Sequence, residues 1–261
     1  MSIRTLFALA GLAAAPMMAQ LAVPAGNASV SMGHVHLLVH DVDAQRQFWV
    51  ALGGVAKVGA EVRIEFPGVF VMLRQGDPTG GSIGSTINHI GFNARNVAVS
   101  VAKWKAAGLN PEPGNRPTQA WFTTADGVRI EILEDDQQTV PLKFHHVHYN
   151  IPTGTEPDVE AWYAKMFGAV PGMRGRFKGA DIAGANLTFQ EAEGKPAPTK
   201  GRAIDHIGFQ VLNLDSFIRK LHAQGIEMEG PVRTAPNGIT KVAFLTDPWG
   251  TSVELTEGLG K

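Results

Sequence analysis

The chain has 261 residues, a formal net charge of −1 with basic and acidic residues intermixed, and no cysteine. That balance leaves no basic stripe for nucleic acid and no basic amphipathic helix for a membrane surface. Without thiols there is no disulfide staple, no thiolate nucleophile and no cysteine-ligated zinc, so stability must come from a hydrophobic core.

Residues 1–19 have the layout of a secretory signal peptide: a charge at Arg4, an apolar run over 5–18, and small residues around Ala19. The run of about 14 residues is short of the roughly 20 that a spanning helix needs. The mature chain is therefore expected to be periplasmic or secreted, with no membrane association after cleavage. A single arginine argues against twin-arginine export, and the lack of cysteine excludes a lipoprotein.

The first folded stretch, M-G-H-V-H-L-L-V, alternates as a strand and carries His34 and His36. A helix over 43–52 follows, opened by an aspartate cap and stopped by Gly53 and Gly54, then strands at 62–66 and 69–73 on either side of Pro67 and Gly68. The pattern returns with I-N-H-I-G-F-N-A at His89, a helix over 97–107 stopped by Gly108, a proline-rich loop at 111–117, and strands at 120–124 and 128–133, the last bearing Glu131. It returns again with F-H-H-V-H-Y-N-I, carrying His146 and His148, and a helix over 157–167 closed by Gly168. The glycine-rich, basic stretch 172–184 is expected to be a mobile loop, and 193–202 an exposed connector. The fourth copy has I-D-H-I-G-F-Q-V at His206, a helix over 214–224 stopped by Gly225, and D-P-W-G-T-S-V-E-L ending in a strand with Glu254.

The second half thus repeats the first at a spacing of about 115 residues, too long for a solenoid unit and fitting domain duplication. The halves are expected at 31–136 and 141–258, each of two modules. On every histidine strand one face is apolar (Val35, Leu37; Ile90, Phe92; Val147, Tyr149; Ile207, Phe209) and the other carries the histidines with small or polar neighbours. A cupped sheet explains this, packing helices on its apolar face and lining a cavity with the other. Two histidines and a carboxylate per half make a metal-site inventory, present twice.

These residues resemble the vicinal oxygen chelate superfamily, which includes glyoxalase I, bleomycin-resistance proteins and the type I extradiol dioxygenases. The resemblance spans nearly the whole chain after the signal and rests on D-H-I-G-F and D-P-W-G-T-S-V-E-L. It implies an α+β fold of four βαβββ modules paired into two similar domains, each a cupped mixed sheet with helices on the outer face. It further implies a divalent metal (Fe(II), Mn, Ni or Zn) held in the second domain by His146, His206 and Glu254, with His34, His89 and Glu131 as the first-domain equivalents. The fourth ligand position of glyoxalases falls on Met72 and Thr188, neither a usual ligand for a hard cation. The implied partner is a small substrate chelating through neighbouring oxygens, and the implied assembly a monomer or homodimer.

Three features depart from the extradiol pattern: the window upstream of D-P-W-G holds no histidine, Phe244 stands at its tyrosine position, and 175–190 holds no acid/base histidine. His36 and His148, two residues beyond a ligand on the same face, are either general bases or hydrogen-bonding wall residues. His40, His145 and His222 are expected at the surface or in turns, without a role. The leading expectation is an exported metal-dependent enzyme with glyoxalase-like lyase or isomerase chemistry; the alternatives are an Fe(II) ring-cleaving dioxygenase and a non-catalytic small-molecule binder.

Overall fold

The computed structural model describes residues 20–21, 29–59 and 61–260, so the expected signal at 1–19 lies outside the described residues. The first module runs β1 (Val30–Val39), α1 (Val42–Leu52), β2 (Val55–Val58), β3 (Val62–Phe66) and β4 (Val69–Gln75). The second is β5 (Ile87–Ala94), α2 (Val97–Ala106), β6 (Glu112–Pro113), β7 (Gln119–Thr123) and β8 (Arg129–Glu134). The third is β9 (Leu142–Pro152), α3 (Glu156–Phe167), β10 (Val170–Arg174), β11 (Phe177–Ile182) and β12 (Ala185–Ala192). The fourth is β13 (Ile204–Val211), α4 (Leu214–His222), β14 (Arg233–Thr234), β15 (Lys241–Thr246) and β16 (Ser252–Glu257). Among the described residues no helix is long and apolar enough to cross a membrane.

Helix starts follow capping chemistry. Asp41, Asn96 and Asn213 each accept a hydrogen bond from the backbone N–H three residues on. In α3 a proline in the first turn replaces a side-chain cap, and Gly168 in the left-handed region (φ 70°) ends it. The last strands of modules two and four add a second cap: Glu134 and Glu257 accept from the N–H groups of Val97 and Leu214, at 2.9 and 2.8 Å. Each of these glutamates lies three residues beyond Glu131 or Glu254, hence on the opposite strand face. In E-x-x-E the first carboxylate is aimed at the cavity and the second at a helix end.

The modules assemble into two eight-stranded mixed sheets, ordered β14-β15-β16-β13-β1-β4-β3-β2 and β10-β11-β12-β9-β5-β8-β7-β6. This corrects the expected pairing. Module one shares a sheet with module four through antiparallel β1 and β13, and module two with module three through β5 and β9. Residues 31–136 and 141–258 are therefore repeats in sequence but not separate sheets. The reason lies in the edges: each module's first strand pairs with its own last strand on one side only and needs another copy's first strand on the other. All four first strands present the same alternation, so pattern alone does not choose the partner.

The two modules of each half meet instead through their apolar faces, one sheet against the other. The Phe66 ring of β3 lies 5.0 Å from that of Phe92 of β5, and Phe167 of α3 lies 5.0 Å from Phe209 of β13. Trp104 of α2 donates its indole N–H to the Leu52 carbonyl at the end of α1. Hydrogen bonds such as Thr251 to Thr86 (2.8 Å) join the sheets elsewhere. The stretch 172–184 is largely the hairpin of β10 and β11 rather than a loop, because its glycines face across strands (Gly172 opposite Gly179) and leave the ladder intact. Within the connector, Ala197 forms a backbone bridge to Ser85 and Thr199 is fully buried, so 193–202 is only partly exposed.

Candidate metal centres

Each sheet gathers one cluster on its polar face, and the pairing of modules decides its members. Across the β1–β13 ladder His36 stands opposite His206 and His34 opposite Gly208, while Gly208 is also the neighbour of Glu254 on β16. The first cluster is thus His34, His206 and Glu254, with His36 beside them. Their ligand atoms all lie within 4.8 Å of one another and all four residues are buried. In the second sheet His148 faces His89, and Gly91 faces both His146 and Glu131. The second cluster is His89, His146 and Glu131, with His148 beside them. Relative to the expected sets, His34 and His146 have exchanged places, which follows directly from the sheet pairing.

In the first cluster Glu254 Oε2 lies 2.9 Å from His206 Nε2 and 3.4 Å from His34 Nε2. Donors about 2.1 Å from a common cation, at right angles to one another, stand about 3 Å apart, so these separations fit a shared divalent ion. His206 Nδ1 donates to Asp205 at 2.6 Å, which leaves Nε2 as the ligand atom. Asp205 in turn accepts from the Gly201 N–H and lies 3.6 Å from Arg74. Burial alone would lower the His206 pKa, but Asp205 and Glu254 reverse that and raise it. Burial likewise opposes ionisation of Glu254, yet His34 and His206 outweigh it and hold the carboxyl far below the usual range. For Asp205 burial also pushes upward, and the bond to His206 brings the pKa down to about 2. His36 is pushed well below its ordinary value, by burial first and then by His206 and His34. Its Nε2 and the Nδ1 of His34 are buried without a hydrogen-bond partner. The cluster opens on a cavity of 1060 Å³ whose wall includes Met72, Arg63, Arg74 and Phe244.

The second cluster has similar donors in a different setting. Glu131 Oε2 is 3.2 Å from His146 Nε2 and 3.5 Å from His89 Nε2. Asn88 replaces the orienting aspartate, accepting from His89 Nδ1 at 2.8 Å. A guanidinium reaches into the donors: Arg174 Nη2 lies 3.1 Å from His146 Nε2 and 3.6 Å from Glu131 Oε2. Thr188, the expected fourth-ligand position, accepts from Arg174 Nε at 2.7 Å. His148 stacks on His89 with centroids 4.3 Å apart and bonds Gln190 through Nε2. Burial, then the neighbouring His89, lowers its pKa to about 3. His145, expected to have no role, sits with Nδ1 2.9 Å from His146 Nδ1 and so orients that ring. His40 is exposed but binds the buried Asp126 at 2.6 Å, a structural tie between modules one and two.

Arg174 and Asp205 are not among the ligand candidates that the sequence pattern offers, for different reasons. Arg174 lies in the glycine-rich stretch 172–184, whose composition reads as a loop. Asp205 was in plain view in I-D-H, set against asparagine in I-N-H, and its position next to a ligand was the available signal.

The glycine two residues after His89 and His206 has a steric purpose. A Cβ built on Gly208 would collide with the His34 ring, and one on Gly91 with the His146 ring. Gly208→Ala is therefore expected to displace the His34 imidazole and weaken metal retention in the first cluster by at least about tenfold. The fold should survive, since the clash is with a side chain at a cavity; circular dichroism together with metal titration checks both halves of this expectation.

Residues 143–255 match the Glyoxalase/Bleomycin resistance protein/Dioxygenase superfamily. No curated protein matches the chain. Among solved structures, glyoxalase I from Zea mays superposes with a TM-score of 0.66 at 17% identity, covering 88% of this chain and 92% of that one. A candidate dioxygenase from Bacillus subtilis gives 0.66 at 14% identity, covering 89% and 86%. The cppA protein from Streptococcus pneumoniae gives 0.53 at 13%, covering 88% and 99%. At these identities the solved structures speak for the fold, in both sheets, and the sequence match speaks for the second half: residues 143–255 carry the pattern of the Glyoxalase/Bleomycin resistance protein/Dioxygenase superfamily, within a four-module chain that shares the fold of glyoxalase I.

Proposed function

We propose that the protein is an exported, divalent-metal-dependent enzyme that moves a proton within a small substrate bearing neighbouring oxygens, as glyoxalase-like isomerases and lyases do. The observation that carries this reading is the convergence of His34, His206 and Glu254 on one point, with His36 against them at the floor of a large cavity. A divalent ion bound there (Fe(II), Mn, Ni or Zn) supplies Lewis acidity toward two adjacent substrate oxygens.

The chain's own residues supply the rest. Asp205 fixes the His206 tautomer and raises its basicity. Glu254 brings the one full negative charge among the three donors. His36 is neutral because burial and its imidazole neighbours disfavour the cation. Its free Nε2 takes a proton from the substrate carbon beside the chelating oxygens and returns it to the neighbouring carbon. The partner is that small molecule; monomer and homodimer both fit the reading, as does a periplasmic or secreted location.

The test incubates metal-loaded protein with α-hydroxycarbonyl and α-dicarbonyl compounds in deuterated water and follows label entry by NMR. Exchange should occur at the carbon beside the oxygens and disappear in His36→Ala; absence of exchange across the panel would displace this reading. A second reading has its own support. Two imidazoles and one carboxylate, rather than four ligands, are also the donor set of Fe(II) oxygenases, and oxygen uptake with catechols after anaerobic iron loading would put that reading first.

A further inference from the structure

The two clusters have equivalent donors but unequal charge. We propose that Arg174 serves as a built-in cation in the second cluster, so that the chain binds one metal ion and not two, and that removing this side chain opens a second metal site at His89, His146 and Glu131. The proposal rests on the reading of His34, His206 and Glu254 as a metal centre for its count of one, but not for its account of the second cluster.

Three observations carry it. First, the Arg174 guanidinium lies within hydrogen-bond reach of His146 Nε2, the atom a metal would need, and within ion-pair range of Glu131 Oε2. A guanidinium does not lose its proton in a protein, so it cannot give way by becoming neutral. Second, the arm is fixed rather than incidental. Its Nε donates to Thr188 Oγ1 at 2.7 Å, and that hydroxyl donates onward to Asn186 at 2.6 Å. Arg174 ends β10, opposite Phe177, so the strand ladder sets its direction. Third, the first cluster lacks such a group. The corresponding hairpin of module one closes with Val58 opposite Val62, and among the described residues Glu254 has ion-pair contacts with His34 and His206 alone. A divalent ion entering the second cluster would meet a guanidinium on its donor atoms and a carboxylate already countered; in the first, Arg74 pairs with Asp205 behind the His206 ring and leaves Glu254 to the imidazoles.

The donors beneath Arg174 remain complete. His89, His146 and Glu131 keep mutual separations of 3.2 to 3.5 Å. Glu131 Oε2 is buried and holds no hydrogen bond within ordinary limits, so it can still accept a ligand bond once the guanidinium is gone. Arg174→Met keeps length and bulk while removing charge and donors, and Arg174→Ala serves as a second variant.

The experiment titrates the purified metal-free protein with Mn(II), counting unbound ion by electron paramagnetic resonance and bound ion by mass spectrometry, with circular dichroism as the folding control. The wild type should bind one equivalent, lost in His206→Ala and kept in His89→Ala. Folded Arg174→Met or Arg174→Ala should bind two, returning to one when His89→Ala is added. Two equivalents in the wild type, or one in both folded Arg174 variants, would overturn the proposal. None in the wild type with one in the Arg174 variants would uphold it while removing the first cluster as a metal centre; none in any protein would remove both.

Discussion

His206→Ala is expected to abolish metal retention in the first cluster and to lower turnover by about a thousandfold or more. The size follows from the loss of the Lewis-acid stabilisation that a divalent ion bound there would supply, worth about 4 kcal/mol. The local consequences go further. His206 is the ring through which Asp205 and Glu254 are both satisfied, at 2.6 and 2.9 Å. Its loss leaves two buried carboxylates without their common partner, and their pKa values should climb back toward ordinary ones. Asp205→Asn is the finer probe. It keeps shape and a hydrogen bond but removes the charge behind the imidazole, as Asn88 already does behind His89. A ten- to hundredfold weaker metal affinity is expected, with the His206 ring in place. Isothermal titration of metal-free protein against Mn(II) measures both variants; wild-type affinity in His206→Ala would remove the assignment of this cluster.

The second large effect is on stability in acid. In metal-free protein, the folded state should lose stability steadily as pH falls from about 6.5 toward 3. His148, with a folded pKa of about 3, is the clearest case. Between that value and the unfolded value near 6.5, the unfolded chain binds a proton that the folded chain does not, so stability rises with pH across the window. Full crossing of the window costs on the order of 5 kcal/mol for this one residue. His36, His89 and His146 are lowered too, burial being the first cause in each, and act in the same direction. Glu254, Glu131 and Asp205 are held low by their histidine partners against the push of burial, so the stability they contribute is present above the unfolded carboxylate pKa and is lost as pH falls below it. His206 alone opposes the trend: its pKa is raised, so its contribution is complete below about 6.5 and fades at higher pH. Against a stability of about 5–15 kcal/mol for a domain of this kind, the loss in acid is large enough to register in an unfolding midpoint. Urea midpoints at successive pH values, with chelator present, measure the slope. A flat profile from pH 7 to about 4 would contradict the buried neutral histidines, and His148→Gln should shallow the slope.

Much of this was legible in the sequence because the chemistry is written in short strands. The four histidine strands, the helices and their glycine stops, and both glutamate strands appear within a residue or two of where the pattern puts them. All six ligand candidates lie in buried clusters. What the pattern did not hold was partnership. His34 and His146 occupy equivalent places on equivalent strands, so either completes the other's site with the same local geometry. The choice between them is made by strand edges meeting across most of the chain. Arg174 was hidden for a related reason: its meaning depends on a hairpin whose glycines read as a break when taken alone.

The crossed pairing has a consequence for how the molecule comes into being. The second sheet is drawn from a continuous central stretch, whereas the first joins the opening quarter of the chain to the closing one. Emerging from the ribosome, the middle can finish its ladder while β1 still waits with an open flank. His34 meets Glu254 only after the final strand arrives. Such long-range closure is slow, and a product clipped even one strand early would keep a whole sheet yet own no first centre.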